Sequence, residues 1–195
     1  MRVSQRSRTT KETSIEVSID LDGTGRTEIT TGIPFYDHML DQLGRHGGFD
    51  LRVQAVGDLH IDTHHTVEDV AISVGEAMWE ALGDKSGVRR FASGSYPLDE
   101  ALVHVALDLS GRPFFVWDVE LPECIPLGTP PFDPQLAEHA LQSFATAAGI
   151  TLHVSLTRGH NVHHIIEAAF KGVARCLRDA VRVEDGSVPS TKGVL

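Results

Sequence analysis

Apolar and polar residues alternate from Thr13 to Asp22, with Ile15, Val17, Ile19 and Leu21 on one side, the pattern of a half-buried strand. Asp22-Gly23-Thr24-Gly25 is a turn signal, and Arg26 to Thr31 then reads as a hairpin strand returning beside the first. Gly32-Ile33-Pro34 breaks the pattern. From Phe35 to His46 the period changes, with Phe35, Met39, Leu40 and Leu43 at helical spacing, and Gly47-Gly48 ends that helix. Phe49 to Ala55 alternates again, and Thr66 to Leu82 is a second helix closed by Gly83. The order is β-β-α-β-α.

The same order then recurs. Leu98 to Leu109 and Pro113 to Leu121 read as strands, and a Pro/Gly-rich loop spans Pro122 to Pro134. Gln135 to Ala148 is helical, Ile150 to Leu156 extended, and Val162 to Val183 a long helix. Residues repeat along with elements. Val17-Ser-Ile-Asp-Leu returns as Val105-Ala-Leu-Asp-Leu, and Gly48-x-x-Leu-x-Val as Gly149-x-x-Leu-x-Val. His38-Met-Leu returns as His139-Ala-Leu, and His64-His65-x-x-Glu68 as His163-His164-x-x-Glu167. Two chance β-β-α-β-α units would not match three histidines and a glutamate, so the chain reads as an internal duplication. Its halves run about 1–92 and 93–195, and the expected fold is α+β, with sheets and helices in separate layers of one domain.

Composition narrows the function. The chain has 195 residues, with a net charge of −10, which disfavours nucleic-acid binding. It has no apolar run long enough to span a membrane. Met1 to Thr13 is polar and lacks the apolar stretch of a secretory signal, so the cytoplasm is the expected location. Two cysteines, Cys124 and Cys176, form no disulfide pattern, and the latter reads as a small core residue. The eleven histidines are the unusual feature, because six of them lie in four short clusters that match between the halves.

Helix geometry sorts these clusters. Residues i and i+4 lie about 40° apart around a helix, whereas i and i+1 diverge by about 100°. His64 and Glu68 therefore grip one ion while His65 points elsewhere, and His163, Glu167 and His164 divide likewise. Adding His38 and His139 under the duplication gives two ligand sets: His64, Glu68, His139 and His164, and His163, Glu167, His38 and His65. Three imidazoles with one carboxylate suit Mn²⁺, Fe²⁺ or Zn²⁺ rather than Ca²⁺ or Mg²⁺. One such motif by itself is more often a polar helix start; two at matching repeat positions, each with a matching third histidine, are a specific signal. His60, His104, His153 and His160 have no repeat partners in a liganding pattern and read as surface or strand polar positions.

Five segments carry a family resemblance: Phe35-Tyr-Asp-His-Met-Leu-Asp-Gln-Leu-Gly-Arg-His-Gly, His64-His-Thr-Val-Glu-Asp, Glu138-His-Ala-Leu-Gln-Ser-Phe-Ala, Gly159-His-Asn-Val-His-His-Ile-Ile-Glu-Ala-Ala-Phe-Lys and Pro189-Ser-Thr-Lys-Gly. Together the chain resembles imidazoleglycerol-phosphate dehydratases over essentially its whole length. The resemblance implies halves like domain 2 of ribosomal protein S5. It implies removal of water from D-erythro-imidazole glycerol phosphate to give imidazole acetol phosphate, in histidine biosynthesis. It further implies two Mn²⁺ per active site, with Fe²⁺ or Zn²⁺ as substitutes, in a homo-oligomer of about 24 subunits with metal sites between subunits. Asp62-Thr63 stands where the family often has Asp-Asp, and Ala140-Leu141 where aromatics are common; neither is a proposed ligand.

Residue roles follow from the same resemblance. Glu12 is the candidate acid/base, although by itself it is an exposed charge in a polar arm; a metal-bound water or the site carboxylates Glu68 and Glu167 are alternatives. Arg90, Arg112, Ser190, Thr191 and Lys192 match phosphate-binding positions, and Gln42 and His46 a substrate-contact helix. Lys171 lies four residues after Glu167 and shares its helical face. Taken singly, each Arg or Lys is an ordinary solvated charge. Two rivals remain open: a dinuclear metallohydrolase of phosphate esters, against which histidines outnumbering carboxylates six to two count, and a non-catalytic metal-storage or structural protein, which gives the arginines and the tail no purpose.

Overall fold

The computed structural model of the chain describes residues 1–184 and 188–191. Its first half contains β1 (Val3–Thr9), β2 (Thr13–Asp20), β3 (Thr27–Thr30), α1 (Pro34–Gly47), β4 (Asp50–Gly57) and α2 (His64–Leu82). The second half repeats the series as β5 (Phe91–Leu98), β6 (Ala101–Asp108), β7 (Phe114–Asp118), α3 (Gln135–Ala147), β8 (Thr151–Arg158) and α4 (Val162–Ala180). Each half thus forms a four-stranded sheet, in the orders β1-β2-β4-β3 and β5-β6-β8-β7. The fold is α+β with two repeated halves.

Two strands lie outside the pattern read from the sequence. β1 pairs antiparallel with β2, from Val3 opposite Asp20 to Thr9 opposite Ser14. It shows no apolar alternation because it is an edge strand; Ser4 is its buried residue. Charge holds it against α2: Arg6 meets Glu76 at 2.7 Å and Glu80 at 2.6 Å, and Arg8 meets Asp69 at 3.1 Å. β5 is the corresponding edge strand, built from small and half-exposed residues.

The expected β2–β3 hairpin is also corrected. β3 runs parallel to β4, with Ile29 opposite Val53, and β4 lies antiparallel to β2. The reason is burial. β4 carries Leu51, Val53 and Ala55 on one face, all buried, and so takes the central place beside β2. β7 and β8 repeat the parallel arrangement. The last helix ends at Ala180 rather than Val183, because the chain turns to pair with the stretch before β5: Arg90 N–H donates to Ala180 O at 2.9 Å and Arg89 N–H to Arg182 O at 2.8 Å.

The helices join the halves. The longer ones, α2 and α4, each cover strands of their own sheet; the shorter ones, α1 and α3, pack across the molecule, α1 on α4 and α3 on α2. Buried side chains from both sheets and all four helices form one continuous core. Tyr36 anchors it, fully buried, with its hydroxyl donating to Val67 O at 3.2 Å. The crossed packing is what brings residues of different halves together.

Candidate metal centres

Local sequence sets the first turns that carry the histidine pairs. The Asn161 side chain caps α4, accepting from the backbone N–H groups of His163 and His164. At α2 the Asp62 carboxylate accepts from His64 N–H at 2.8 Å. Pro34 starts α1, and Gly48 ends it in the left-handed region at φ 72°. His38 therefore sits one turn into α1, beside the start of α4.

Two groups of donors result. In one, His38 of α1 meets His163 and Glu167 of α4; in the other, His64 and Glu68 of α2 meet His139 of α3. Within each group one donor atom from every residue lies within 4.8 Å of the others. Glu167 Oε2 is 3.0 Å from His163 Nε2 and 3.4 Å from His38 Nε2. Glu68 Oε1 is 3.4 Å from His139 Nε2, and the His64 and His139 rings are 4.5 Å apart. His139 Nε2 is buried without a hydrogen-bond partner among the described residues. A buried, unpartnered imidazole nitrogen facing a carboxylate and a second imidazole fits a cation better than it fits a closed polar network.

His65 and His164 belong to neither group. His65 Nδ1 lies 3.0 Å from Asp58 Oδ2, and His164 Nδ1 lies 2.7 Å from Glu100 Oε2. The structure thus brings together three of the four residues expected for each ion within one chain. These contacts are electrostatically marked. The Asp58 hydrogen bond pushes the His65 imidazole above its ordinary pKa, and the Glu100 hydrogen bond does so for His164. In return the hydrogen bond from His164 holds the Glu100 carboxyl down at about 2. Sequence reasoning missed both carboxylates. One signal was present: Glu100 precedes the second half's strand by the same offset as Glu12 precedes the first, the offset that separates Val17 from Val105.

Glu167 is buried yet charged. Burial alone would raise its carboxyl pKa, but hydrogen bonds and charge from Lys171, with hydrogen bonds from His163 and His38, hold it below the usual range. Lys171 Nζ lies 2.6 Å from Glu167 Oε1. Next to this group Gln42 bonds both neighbours on its helix face, Nε2 at 3.3 Å from His38 Nδ1 and Oε1 at 3.2 Å from His46 Nε2. Burial, then the charges of Lys171 and Arg175, lowers the His46 pKa. His46 thus gives up its proton more readily than an ordinary histidine.

The other candidate substrate residues are divided. Glu12 is exposed in the β1–β2 turn, with Oε2 3.9 Å from His65 Nδ1. Arg90 grips Asp108 with two N–H···O bonds, at 2.7 and 3.0 Å, and its Nη1 donates to Pro189 O at 2.7 Å. The Pro189-Ser190 stretch is thereby tied beside Arg90, with Ser190 half-buried and Thr191 exposed. Arg112 is exposed, its turn closed by a Ser110 hydroxyl that donates to Arg112 O at 3.0 Å. Lys192 lies outside the described residues. Arg90→Lys is expected to lower stability by about 1–3 kcal/mol in urea unfolding, because an ammonium does not reproduce the forked contact to a largely buried carboxylate. Unchanged stability would mean that the fork contributes nothing to the fold.

Comparison with known proteins shows the family. Residues 31–177 match the family model for imidazoleglycerol-phosphate dehydratase. The imidazoleglycerol-phosphate dehydratase of Jannaschia sp. (strain CCS1) is 54% identical over 198 residues, covering all of both chains. The chloroplastic one of Pisum sativum is 54% identical over 197 residues, covering all of this chain and 69% of the relative. Among solved structures, the dehydratase of Staphylococcus aureus superposes with a TM-score of 0.83 at 35% identity, covering 93% of this chain and 99% of that one. That of Pyrococcus furiosus, crystallised with (S)-C348, gives 0.82 at 37% identity, covering 97% and 100%. With the family model spanning most of the chain and relatives matching it from end to end, this chain belongs to the imidazoleglycerol-phosphate dehydratase family of hydro-lyases.

Proposed function

We propose that this chain dehydrates D-erythro-imidazole glycerol phosphate to imidazole acetol phosphate, with two divalent ions, Mn²⁺ first and Fe²⁺ or Zn²⁺ as substitutes, in each active site. The observation that carries this reading is the pair of His/His/Glu groups, each converging within 4.8 Å. Their mixed imidazole and carboxylate donors favour a transition metal. Because His65 and His164 add no atom to either group, each ion completes its coordination with those residues from a second copy. The working enzyme is then a homo-oligomer, a single domain of two repeats per chain, acting in the cytoplasm on a small phosphorylated imidazole. Nucleic acid is no partner of so acidic a chain. No helix among the described residues is long and apolar enough to cross a membrane.

A divalent ion held by His64, Glu68 and His139 or by His38, His163 and Glu167 would supply Lewis acidity to the substrate. The chain's residues do the rest. Arg90 keeps N–H donors beyond those given to Asp108 and Pro189, and with Arg112, Ser190, Thr191 and Lys192 it holds the phosphate. Gln42 and His46 orient the substrate through their shared hydrogen bond. Lys171 keeps Glu167 ionised in its buried setting. Glu12, exposed and close to His65, takes the proton from the carbon beside the departing hydroxyl.

Metal-stripped protein supplied with the substrate is expected to form ketone on addition of Mn²⁺ and none without it. Ketone formation at an equal rate with and without metal rejects the reading. Acid should also release the ions. A bound imidazole must be neutral, and His65 and His164 hold their protons to higher pH than an ordinary histidine. Competition therefore begins above the ordinary value of about 6.5 and grows as pH falls. Equilibrium dialysis should show Mn²⁺ lost progressively as the pH falls through the ordinary histidine value of about 6.5. Full occupancy at pH 5 would contradict this.

A further inference from the structure

The two halves treat their equivalent glutamates differently. Glu12 and Glu100 each precede the second strand of their sheet, β2 or β6, and each approaches the histidine that its own half withholds from the donor groups. Glu100 is fully engaged. Its Oε2 is 2.7 Å from His164 Nδ1, while Oε1 accepts from the backbone N–H groups of Asn161 at 2.8 Å and His160 at 3.3 Å. Glu12 Oε2 is 3.9 Å from His65 Nδ1, too far for a hydrogen bond. Asp58 takes that place, at 3.0 Å.

The second half has no counterpart to Asp58 for a steric reason. The match of Val53 to Val154 places Gly159 at the equivalent position. A Cβ there would lie 2.9 Å from Ile165 Cγ1 and 3.2 Å from both Cα and Cβ of Ala101. A side chain at that point would crowd its neighbours, and among the described residues the turn glutamate is the carboxylate that hydrogen-bonds His164, Asp99 Oδ2 standing 3.8 Å from Nε2.

We infer that Asp58 and Glu100 are the positioning residues of the two centres, and that this division leaves Glu12, unlike Glu100, free to exchange a proton with substrate. Each positioning carboxylate accepts the Nδ1–H of its histidine, which fixes the tautomer and presents Nε2 as the ligand atom. Glu12 keeps its carboxylate out of any hydrogen bond among the described residues because Asp58 relieves it. The inference rests on the two-metal reading above and adds the source of its asymmetry.

Glu100→Gln separates positioning from structure. The amide retains a carbonyl oxygen for the two backbone N–H groups, but its NH2 end donates and does not accept from Nδ1–H. Asp58→Asn makes the equivalent change at His65. Mn²⁺ dissociation constants of the full-length protein would be measured by chelator competition, with thermal unfolding of the metal-free form as control. Both variants are expected to weaken Mn²⁺ binding about 10- to 100-fold, with the metal-free melting temperature unchanged. Glu12→Gln is expected to bind Mn²⁺ as the unaltered protein does. Unaltered Mn²⁺ affinity in Glu100→Gln and Asp58→Asn overturns the inference while leaving the two-metal reading standing. So does an equal weakening in Glu12→Gln. Absence of Mn²⁺ binding in the unaltered protein overturns the two-metal reading itself.

Discussion

Glu167→Gln is expected to lower kcat/KM by at least about 10²-fold and, on the proposed two-metal reading, to remove the ion of its own group. Glu167 is the pivot of its group. One carboxylate oxygen faces both His163 and His38, and the other takes the ammonium of Lys171 at 2.6 Å. The amide keeps the volume but loses the negative charge that a divalent ion requires among two imidazoles. It also leaves the half-buried Lys171 without its counter-charge, so that cation opposes the metal. The His64, Glu68 and His139 group draws on α2 and α3 and shares no residue with the damaged one. Its ion should therefore remain, which makes the expected stoichiometry fractional rather than zero. Elemental analysis and steady-state kinetics on the same preparation decide the matter. A variant with full metal content and undiminished turnover removes Glu167 from the ligand set.

Gly75→Val is expected to destabilise the fold by about 1–3 kcal/mol, a fall of roughly 2–12 °C in melting temperature for a chain of this size. Gly75 lies where α2 crosses α3. A Cβ at that position would stand 2.6 Å from Phe144 O, 2.8 Å from Ala147 Cβ and 3.1 Å from Ala148 N. Two of these atoms are backbone, so no rotamer change relieves the contact and the helices must separate. Replacing an interior helical glycine returns a few tenths of a kcal/mol of propensity, which is the smaller term. The displacement also has a functional reading. His64 and Glu68 sit on α2 and His139 on α3, so separation breaks up one metal group, while α1 and α4 keep the other. Calorimetry with metal titration tests both parts. An unchanged melting temperature would show that the crossing tolerates a side chain.

Long, strongly periodic segments were legible in the sequence because burial imposes their period. β2, β4, α1 and α2 have their apolar residues in the core at the expected spacing. Edge elements were not, because little of them is buried. β1 is held by a ladder and by Arg6 and Arg8, which leave no hydrophobic signature. The direction of β3 was misread for a related reason. A turn of Asp22 to Gly25 is local chemistry, whereas the choice of β4 as partner is a long-range competition for the central position.

The sequence by itself determined the duplication, the helical faces, and the pairing of His64 with Glu68 and His163 with Glu167, since a helix repeats every 3.6 residues wherever it is placed. The duplication also placed His38 with the α4 pair and His139 with the α2 pair, but only the tertiary structure gives the physical reason. That outcome depends on the cross-packing of α1 on α4 and α3 on α2, which is settled by how the apolar faces of all four helices bury one another. The tertiary structure alone decided that Asp58 and Glu100 bond His65 and His164: Glu100 reaches His164 from a turn 64 residues earlier, and Asp58, though only seven residues before His65, lies outside the helix, so no helical period records either contact.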